Sequence, residues 1–398
     1  KANIVLKLKN GYNVGIDKKK IKKMKLIKKR VEEKIKSSNV ADKKDLPTIL
    51  ILHTGGTIAS KVDYKTGGVI AKFSPSELIE MFPTLKKIAN IESKLIGNIL
   101  SEDMRFSHYN LIAEEIKKNH SSVDGIIVTH GTDTMHYTSA ALSFMLEDLG
   151  IPILLVGSQK SSDRGSTDAR MNIICAAQFI ANSEFAEVGI CMHSTTDDEN
   201  CYILPGLKTK KLHSSRRDAF TVVNAKPFAK VDEYGKITYI RTVFDKKNKD
   251  KKIKVHKFEK NVKVGFIKSH PNMIPEEISN YSNFDGLIVE GTGLGHLPVN
   301  KIDDLTIKND KIFTELKKLS KSIPIVMCSQ TTFGRVNMNV YSTGRKIQEY
   351  LISGDDMTSE TAFVKLAWLL SQKEKNICKK MTENLKGEFN PRISDEFL

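Results

Sequence analysis

The chain of 398 residues has few of the features that mark specialised classes of protein. It contains five cysteines and one tryptophan, and no apolar run approaches the ~20 residues that a membrane-spanning helix needs. The cysteines are odd in number and not closely paired, so we expect reduced thiols and no zinc site. No secretory leader is recognisable, although the missing initiator methionine leaves open that the numbering begins inside a longer protein. These absences favour a cytoplasmic protein without a membrane segment or a bound metal.

Arginine is scarce as well. Ten arginines stand among 63 basic residues, so the formal net charge of +16 comes almost entirely from lysine. Specific contacts to phosphates and bases are made mostly by the arginine fork. Two interpretations therefore stay open, namely a lysine bias of the whole sequence, as in an A/T-rich genome, or a surface that holds RNA.

From Pro47 onward the chain alternates apolar strand-like runs with helical patterns. Strands are predicted at 49–52, 125–129, 153–156, 188–192, 262–267, 285–290 and 323–328. Helices are predicted around Leu142, Met145, Leu146 and Leu149, around Ile173, Ala176, Ala177, Ile180 and Ala181, and over 359–371, where the start is either Ser359 or Thr361. This alternation predicts an α/β fold with mostly parallel sheets. A charged break near 250–260 predicts two such domains, at 47–255 and 256–398.

The first 46 residues follow a different pattern. Ile4, Leu6 and Leu8 alternate with polar residues before Asn10-Gly11, and Tyr12, Val14 and Ile16 alternate after it. Asn-Gly between alternating runs predicts a β-hairpin. Because an isolated hairpin is marginally stable, we expect 1–46 to be the remnant of a small β-barrel-like domain, whose first strands precede Lys1, plus a basic linker. The lysine-rich part, 18–45, is either a solvated connector or an edge that faces tRNA.

Two threonine-rich turns follow predicted strands. Thr54-Gly55-Gly56-Thr57 comes after 49–52, and Thr132-Asp133 lies in the turn after 125–129. The carboxyl ends of parallel strands meet at one edge of a sheet, where ligands bind. A hydroxyl nucleophile needs a base and a group that orients that base. Thr54, Thr132, Asp133 and a lysine could supply this set, which favours acyl transfer.

Glycine-rich segments elsewhere do not predict a nucleotide site. Gly291, Gly293 and Gly295 have the wrong spacing for a dinucleotide fingerprint, and no G-K-[ST] sequence follows Gly55-Gly56 or Gly131. We interpret 290–295 and Thr343-Gly344-Arg345 as turns. No cofactor is therefore expected on this chain.

The ordered pair of turns, Thr54-Gly55-Gly56-Thr57-Ile58 and His130-Gly131-Thr132-Asp133-Thr134-Met135, resembles the two signatures of bacterial-type L-asparaginases. The resemblance runs from about Pro47 to the C-terminus. It implies a two-domain fold, with a larger N-terminal and a smaller C-terminal α/β domain, that hydrolyses a side-chain amide. It also implies oligomers in which a neighbouring subunit completes each site.

The same resemblance assigns roles to individual residues. Thr54 would be the nucleophile, while Thr132, Asp133 and Lys211 would handle protons and Asp133 would also anchor the substrate ammonium. Lys210 is the alternative alignment for Lys211, and helix capping is the alternative role for Asp133. The resemblance assigns substrate binding to Gly55, Tyr64, Ser101, Glu102 and Gly131. His53, His130 and His213 are expected to pack or to support other residues.

The N-terminal hairpin, together with 53–64, 159–168 and 214–220, resembles one branch of this family, the D subunits of archaeal glutamyl-tRNA(Gln) amidotransferases. This implies release of ammonia from glutamine or asparagine. A partner, the E subunit of the amidotransferase, would use ATP and Mg²⁺ to activate Glu-tRNA(Gln) and form Gln-tRNA(Gln), and the ammonia-releasing chain would be a homodimer within a heterotetramer. The alternatives are a stand-alone cytoplasmic L-asparaginase and a non-catalytic RNA-binding scaffold.

Overall fold

The fold is known from a computed structural model that describes residues 3–7, 13–25, 45–56, 58, 60–62, 69–71, 81–162 and 166–392. The strands are β1 (Asn3–Lys7), β2 (Asn13–Asp17), β3 (Thr48–Gly55), β4 (Ser60–Val62), β5 (Val69–Ala71), β6 (Asn90–Ile99), β7 (Gly125–Thr129), β8 (Leu146–Glu147), β9 (Ile153–Val156), β10 (Val188–His193), β11 (Cys201–Pro205), β12 (Thr209–Lys211), β13 (Phe220–Val222), β14 (Ala229–Val231), β15 (Ile237–Tyr239), β16 (Lys254–Val255), β17 (Val264–Lys268), β18 (Gly286–Gly291), β19 (Ile325–Ser329) and β20 (Ile352–Ser353).

The helices separate these strands. They are α1 (Leu85–Ile88), α2 (Phe106–Asn119), α3 (Met135–Met145), α4 (Ala169–Asn182), α5 (Glu276–Ser279), α6 (Ile307–Leu319), α7 (Ser342–Ile347), α8 (Ser359–Ser371) and α9 (Ile377–Thr382). Short 3-10 turns lie at Lys18–Lys20, Ser101–Asp103 and Asp304–Thr306. No helix within the described ranges is long and apolar enough to cross a membrane.

Two sheets organise the chain. The first has the order β15-β14-β11-β10-β9-β7-β3-β6, and the second, β17-β18-β19-β20, is parallel throughout. In the first sheet the pairs from β10 to β6 are parallel, while β11, β14 and β15 add an antiparallel edge. The predicted α/β fold is confirmed, with a mixed rather than uniformly parallel first sheet. We call the part built around the second sheet the C-terminal domain.

The helices bury apolar residues against both sheets. Helix α8 belongs to the C-terminal domain, yet its Val364 and Ala367 share a core with Ala141 and Phe144 of α3. Full burial of a side chain such as Val364 or Phe144 contributes about 1.5–3 kcal/mol, and the two alanines contribute less. The core therefore continues from one domain into the next along α8, whose predicted bounds are confirmed.

Two local predictions were wrong. The predicted helix through Leu146 and Leu149 stops at Met145, because Leu146–Glu147 pairs with Lys254–Val255 as a short antiparallel ladder. Leu146 and Leu149 are buried all the same, which is why their spacing imitated a helix. Thr343-Gly344-Arg345 is not a turn but part of α7, where Gly344 lets the helix approach the backbone of Met338.

The N-terminal hairpin is confirmed where the structure describes it. β1 and β2 pair antiparallel from Asn3 opposite Asp17 to Lys7 opposite Asn13. The predicted turn at Asn10-Gly11, with Leu8 and Tyr12, and most of the lysine-rich linker lie outside the described residues. All five cysteines are free thiols, and all but Cys378 are buried.

Candidate active site

The two threonine turns lie side by side because β3 and β7 are neighbours in the first sheet. His53 of β3 is in register with Thr129 of β7, so the residues that follow them leave the sheet together. The Thr54 hydroxyl is fully buried and donates to the carbonyl of Thr129 at 2.8 Å. The second turn thus holds the first, and the expectation that both turns meet at one edge is confirmed.

Glycine allows the loops to touch. Gly56 has φ +79°, and a Cβ at this position would overlap the backbone of Gly131. A Cβ on Gly131 would in turn lie 2.9 Å from the Ser101 Oγ. Since only glycine tolerates both the backbone angle and the close approach, a side chain at Gly56 would push the loops apart.

Lys211 reaches this edge from a separate hairpin. β12 ends at Lys211 and pairs with β13, with Lys211 opposite Phe220. The Lys211 Nζ donates to the Thr132 Oγ1 at 2.8 Å and to the Asp133 Oδ1 at 2.7 Å. The Lys211 side chain is 8% exposed, whereas that of Asp133 is 65% exposed. A buried ammonium therefore joins a buried hydroxyl to a carboxylate at the surface.

The two alternative assignments do not fit this geometry. The N-cap of α3 is Thr134, not Asp133, and the Thr134 hydroxyl donates to the Ser101 carbonyl at 2.6 Å. The Lys210 side chain points away from Thr132 and forms an ion pair with Glu360. Lys211 is thus the lysine beside the second threonine turn.

Ser101 lies on the third neighbouring loop. It follows β6, which pairs with the other side of β3, and it begins the 3-10 turn Ser101–Asp103. Ser101 is buried, and its hydroxyl donates to the exposed Glu102 carboxylate at 3.4 Å. Tyr64 lies outside the described residues, between the paired strands β4 and β5. Gly55 packs against the end of β6 at Ile99.

The histidines beside the turns are supporting residues. Burial lowers the pKa of both His53 and His130 to about 4, so both rings are neutral near pH 7. The His130 Nδ1 donates to the Gly131 carbonyl at 2.6 Å, which leaves Nε2 to accept from the Thr138 hydroxyl at 2.8 Å. His213 accepts two backbone N–H groups in the loop after β12. These contacts fix the geometry of the loops.

Sequence reasoning missed two contributors to the site. Thr129 receives the Thr54 hydroxyl at its carbonyl, while its own hydroxyl bonds the His53 Nδ1 at 3.1 Å. A hydroxyl at the end of an apolar strand was the available signal for Thr129. Glu360, the partner of Lys210, comes from the C-terminal domain, and no local pattern connected it to the site.

The arrangement suits acyl transfer. A hydroxyl lies at a strand end with backbone N–H groups nearby, and a lysine connects a second hydroxyl to a carboxylate. Within the described part of the chain, no group of three or more histidine, cysteine, aspartate or glutamate side chains could hold a metal ion.

Known families match most of the chain. Residues 48–244 match the family described as "Asparaginase, N-terminal", and residues 263–380 match the "Glutaminase/Asparaginase C-terminal domain". Residues 1–27 match the "GatD N-terminal domain".

Relatives of known name extend this comparison. The chain is 43% identical to the D subunit of the glutamyl-tRNA(Gln) amidotransferase of Pyrococcus abyssi, over 98% of this chain and 87% of that protein. It is 44% identical to the protein of the same name from Methanococcus maripaludis strain C7, over 99% and 93%. Among solved structures, the thermostable L-asparaginase from Thermococcus kodakarensis superposes with a TM-score of 0.76 at 28% identity, over 87% of this chain and all of that one.

Proposed function

The chain belongs to the family of glutamyl-tRNA(Gln) amidotransferase D subunits, and we propose that its threonine–lysine–aspartate cluster releases the ammonia that this reaction consumes. It is the asparaginase-like component of that enzyme. The observation that carries the proposal is the position of the Lys211 Nζ, within hydrogen-bond distance of both Thr132 and Asp133.

The first half-reaction breaks the amide. The Thr54 Oγ1 attacks the side-chain carbonyl carbon of glutamine or asparagine, and the hydroxyl proton is transferred to the departing nitrogen, which leaves as ammonia. Backbone N–H groups in the glycine-rich turn stabilise the negative oxygen that forms meanwhile. An acyl group remains on Thr54.

The second half-reaction restores the enzyme. A water molecule attacks the acyl carbon, the carboxylic acid product leaves, and Thr54 regains a proton. Lys211 and the Thr132 hydroxyl form a path along which a proton can enter and leave. Asp133 keeps Lys211 oriented, and its exposed carboxylate can pair with the α-ammonium group of the substrate.

The wider assembly is part of the same proposal. A partner, the E subunit of the amidotransferase, binds tRNA(Gln) charged with glutamate and uses ATP and Mg²⁺, while this chain carries no cofactor and works as a homodimer within a heterotetramer in the cytoplasm. The match of residues 1–27 to the GatD N-terminal domain supports this over a stand-alone asparaginase, because that segment lies outside both asparaginase matches.

The roles of Thr54 and Lys211 can be tested by replacement with alanine in the complex with the E subunit. Each variant should lose about 100- to 10,000-fold in glutamine hydrolysis without unfolding. Lys321→Ala, which removes an exposed lysine of the C-terminal domain, is the matched control and should retain full turnover. Normal activity in a folded Thr54→Ala or Lys211→Ala variant would show that the roles are wrongly assigned.

The assembly is tested by adding Glu-tRNA(Gln), ATP and the E subunit to the chain. Amide hydrolysis should rise when all of them are present. Full turnover in their absence, with no response to their addition, would favour the stand-alone L-asparaginase. Tight tRNA binding without hydrolysis of any amide would favour the scaffold.

A further inference from the structure

The short strand that presents Lys211 has two faces with different partners. The side chains of β12 and of the preceding residue, Lys208, point alternately to opposite faces of the strand. The odd-numbered residues face their own domain, since Thr209 Oγ1 donates to the Pro205 carbonyl at 2.6 Å and Lys211 reaches Thr132. The even-numbered lysines, Lys208 and Lys210, both bind carboxylates of the C-terminal domain.

The first of these contacts is fully enclosed. The Lys208 Nζ lies 2.9 Å from the Asp356 Oδ2, and both side chains are 2% exposed. Asn390 donates its backbone N–H and its amide to the same carboxylate, at 2.9 and 2.8 Å. The carbonyl of Leu207 also accepts the Thr361 hydroxyl at 2.8 Å. The strand therefore enters the site already attached to the beginning of α8.

The second contact lies one residue from the lysine beside Thr132. The Lys210 Nζ is 2.9 Å from the Glu360 Oε1, and these side chains are 26% and 11% exposed. Glu360 occupies the first turn of α8, where the helix dipole favours a carboxylate. Within the described chain, the other basic group within 4.0 Å of Glu360 is His136, and burial lowers the pKa of His136 to about 4. Near pH 7 the cation that balances Glu360 is Lys210.

Because the side chains alternate, the register of β12 determines which lysine faces Thr132. A slip of one residue turns every side chain of a strand to the opposite face. Such a slip would present Lys210 to Thr132 and turn Lys211 towards Glu360. Within the described chain β12 has three residues and pairs only with β13, and one backbone bond continues the ladder on each side, from Val223 N–H to the Lys208 carbonyl and from Leu212 N–H to the Ala219 carbonyl. The register therefore depends on a short hairpin and on the contacts that Lys208 and Lys210 make with the C-terminal domain.

We propose that the Lys210–Glu360 ion pair is a positioning device, by which the C-terminal domain holds β12 in the register that presents Lys211 to Thr132. The inference rests on the proposed function, because it needs Lys211 to act in the reaction. Glu360 and Lys210 touch no reacting atom in this scheme. They act through Lys211.

The test measures kcat and KM for glutamine hydrolysis in the complex with the E subunit. Glu360→Gln and Lys210→Met should each lower kcat by about 10- to 100-fold, as expected when a catalytic group is displaced slightly. KM should stay within about twofold, because the groups that bind the ground state are intact. Lys210→Arg retains the positive charge and should restore most of kcat. Glu115→Gln, which removes a partly buried carboxylate paired with Lys94 and Lys118, is the matched control and should leave kcat unchanged.

The double variant Lys210→Met/Glu360→Gln shows whether the two residues act together as one ion pair or independently of each other. The two losses should not add, since either change alone breaks the pair. Additive losses, a rise in KM with unchanged kcat, or unchanged kcat in folded single variants would each overturn the inference. If Glu360→Gln does not fold, Lys210→Met still tests the inference. The Lys210 side chain is partly exposed, so this variant should fold.

The control Lys211→Ala distinguishes this inference from the proposed function. Loss of activity in Lys211→Ala with normal kcat in the Lys210 and Glu360 variants would overturn the positioning role alone. Full activity in Lys211→Ala would overturn both.

Discussion

Two lysine–carboxylate pairs, one at the candidate site and one in the C-terminal domain, have the same chemical groups but differ in burial. The Lys211 Nζ lies 2.7 Å from the Asp133 Oδ1, and the Lys365 Nζ lies 2.6 Å from the Glu388 Oε1. The Asp133 side chain is 65% exposed, whereas Lys365 and Glu388 are both 0% exposed. The distances are nearly equal, so burial makes the difference.

The buried pair is saturated by backbone groups. The Glu388 carboxylate accepts the N–H groups of Leu385 and Lys386, and the Lys365 ammonium donates to the carbonyls of Met381 and Glu383. This set fixes 381–388 onto α8. Asp133, by contrast, has Lys211 as its one ion-pair partner among the described residues and faces solvent, so a ligand ammonium can reach it. We call Lys365–Glu388 the closed pair and Lys211–Asp133 the open pair. The closed pair serves stability, and the open pair can serve binding.

The largest effect is expected from breaking the closed pair. Lys365→Met should destabilise the chain by about 3–5 kcal/mol, because Glu388 is left as a buried charge without its cation. Denaturant unfolding measures this loss. Turnover per folded molecule should hardly change, since the pair contacts the backbone of 381–388 rather than the threonine turns. A loss below about 1 kcal/mol would show that burial does not separate the two pairs.

Breaking the open pair should lower activity and hardly change stability. Asp133→Asn retains the shape of the side chain and removes its charge, so kcat/KM should fall by about 10- to 100-fold, the value of a hydrogen bond to a charged group. The free energy of unfolding should change by less than about 1 kcal/mol, because the Asp133 carboxylate is mostly hydrated and buried Lys211 retains acceptors in the Thr132 hydroxyl and the new amide oxygen. Steady-state kinetics and unfolding on the same sample check both. Unchanged kinetics would remove Asp133 from the binding site.

Acidification should destabilise the fold through its buried histidines. Burial lowers the pKa of His53, His130 and His136 from 6.5 to about 4 in the folded chain. Between pH 6.5 and pH 4 the unfolded chain therefore binds protons that the folded chain does not, and stability falls as pH falls. The loss should be about 1 kcal/mol per histidine for each pH unit. Unfolding measured at pH 7 and at pH 5 tests this, and equal stability would contradict the assignment of neutral rings.

The smallest effect is expected at an exposed pair. Lys257 lies 2.9 Å from Glu114, and their side chains are 53% and 32% exposed. Lys257→Met should change the free energy of unfolding by less than about 0.5 kcal/mol and leave turnover unaltered. This baseline shows how much of the Lys365→Met effect comes from burial. A change as large as that in Lys365→Met would contradict the comparison.

Much of the fold was predictable because burial leaves a local pattern. The strands Gly125–Thr129 and Ile153–Val156 have the predicted bounds, since a strand covered on both faces is apolar throughout. The helix predicted through Leu149 includes Leu142 and Met145 but ends at Met145, because the buried positions of β8 and the following turn match a helical spacing by chance. Local patterns report burial well and the type of element less well.

The sequence alone determined that two hydroxyl-bearing turns, at Thr54 and Thr132, follow apolar strands and belong at the carboxyl edge of a sheet, because alternation of apolar runs with helices is a local property that predicts parallel strands. The structure decided that these two strands, β3 and β7, are neighbours. The structure alone decided which lysine faces Thr132 and which binds Glu360. Lys210 and Lys211 are chemically identical neighbours, and only the alternation of β12 between two domains separates them.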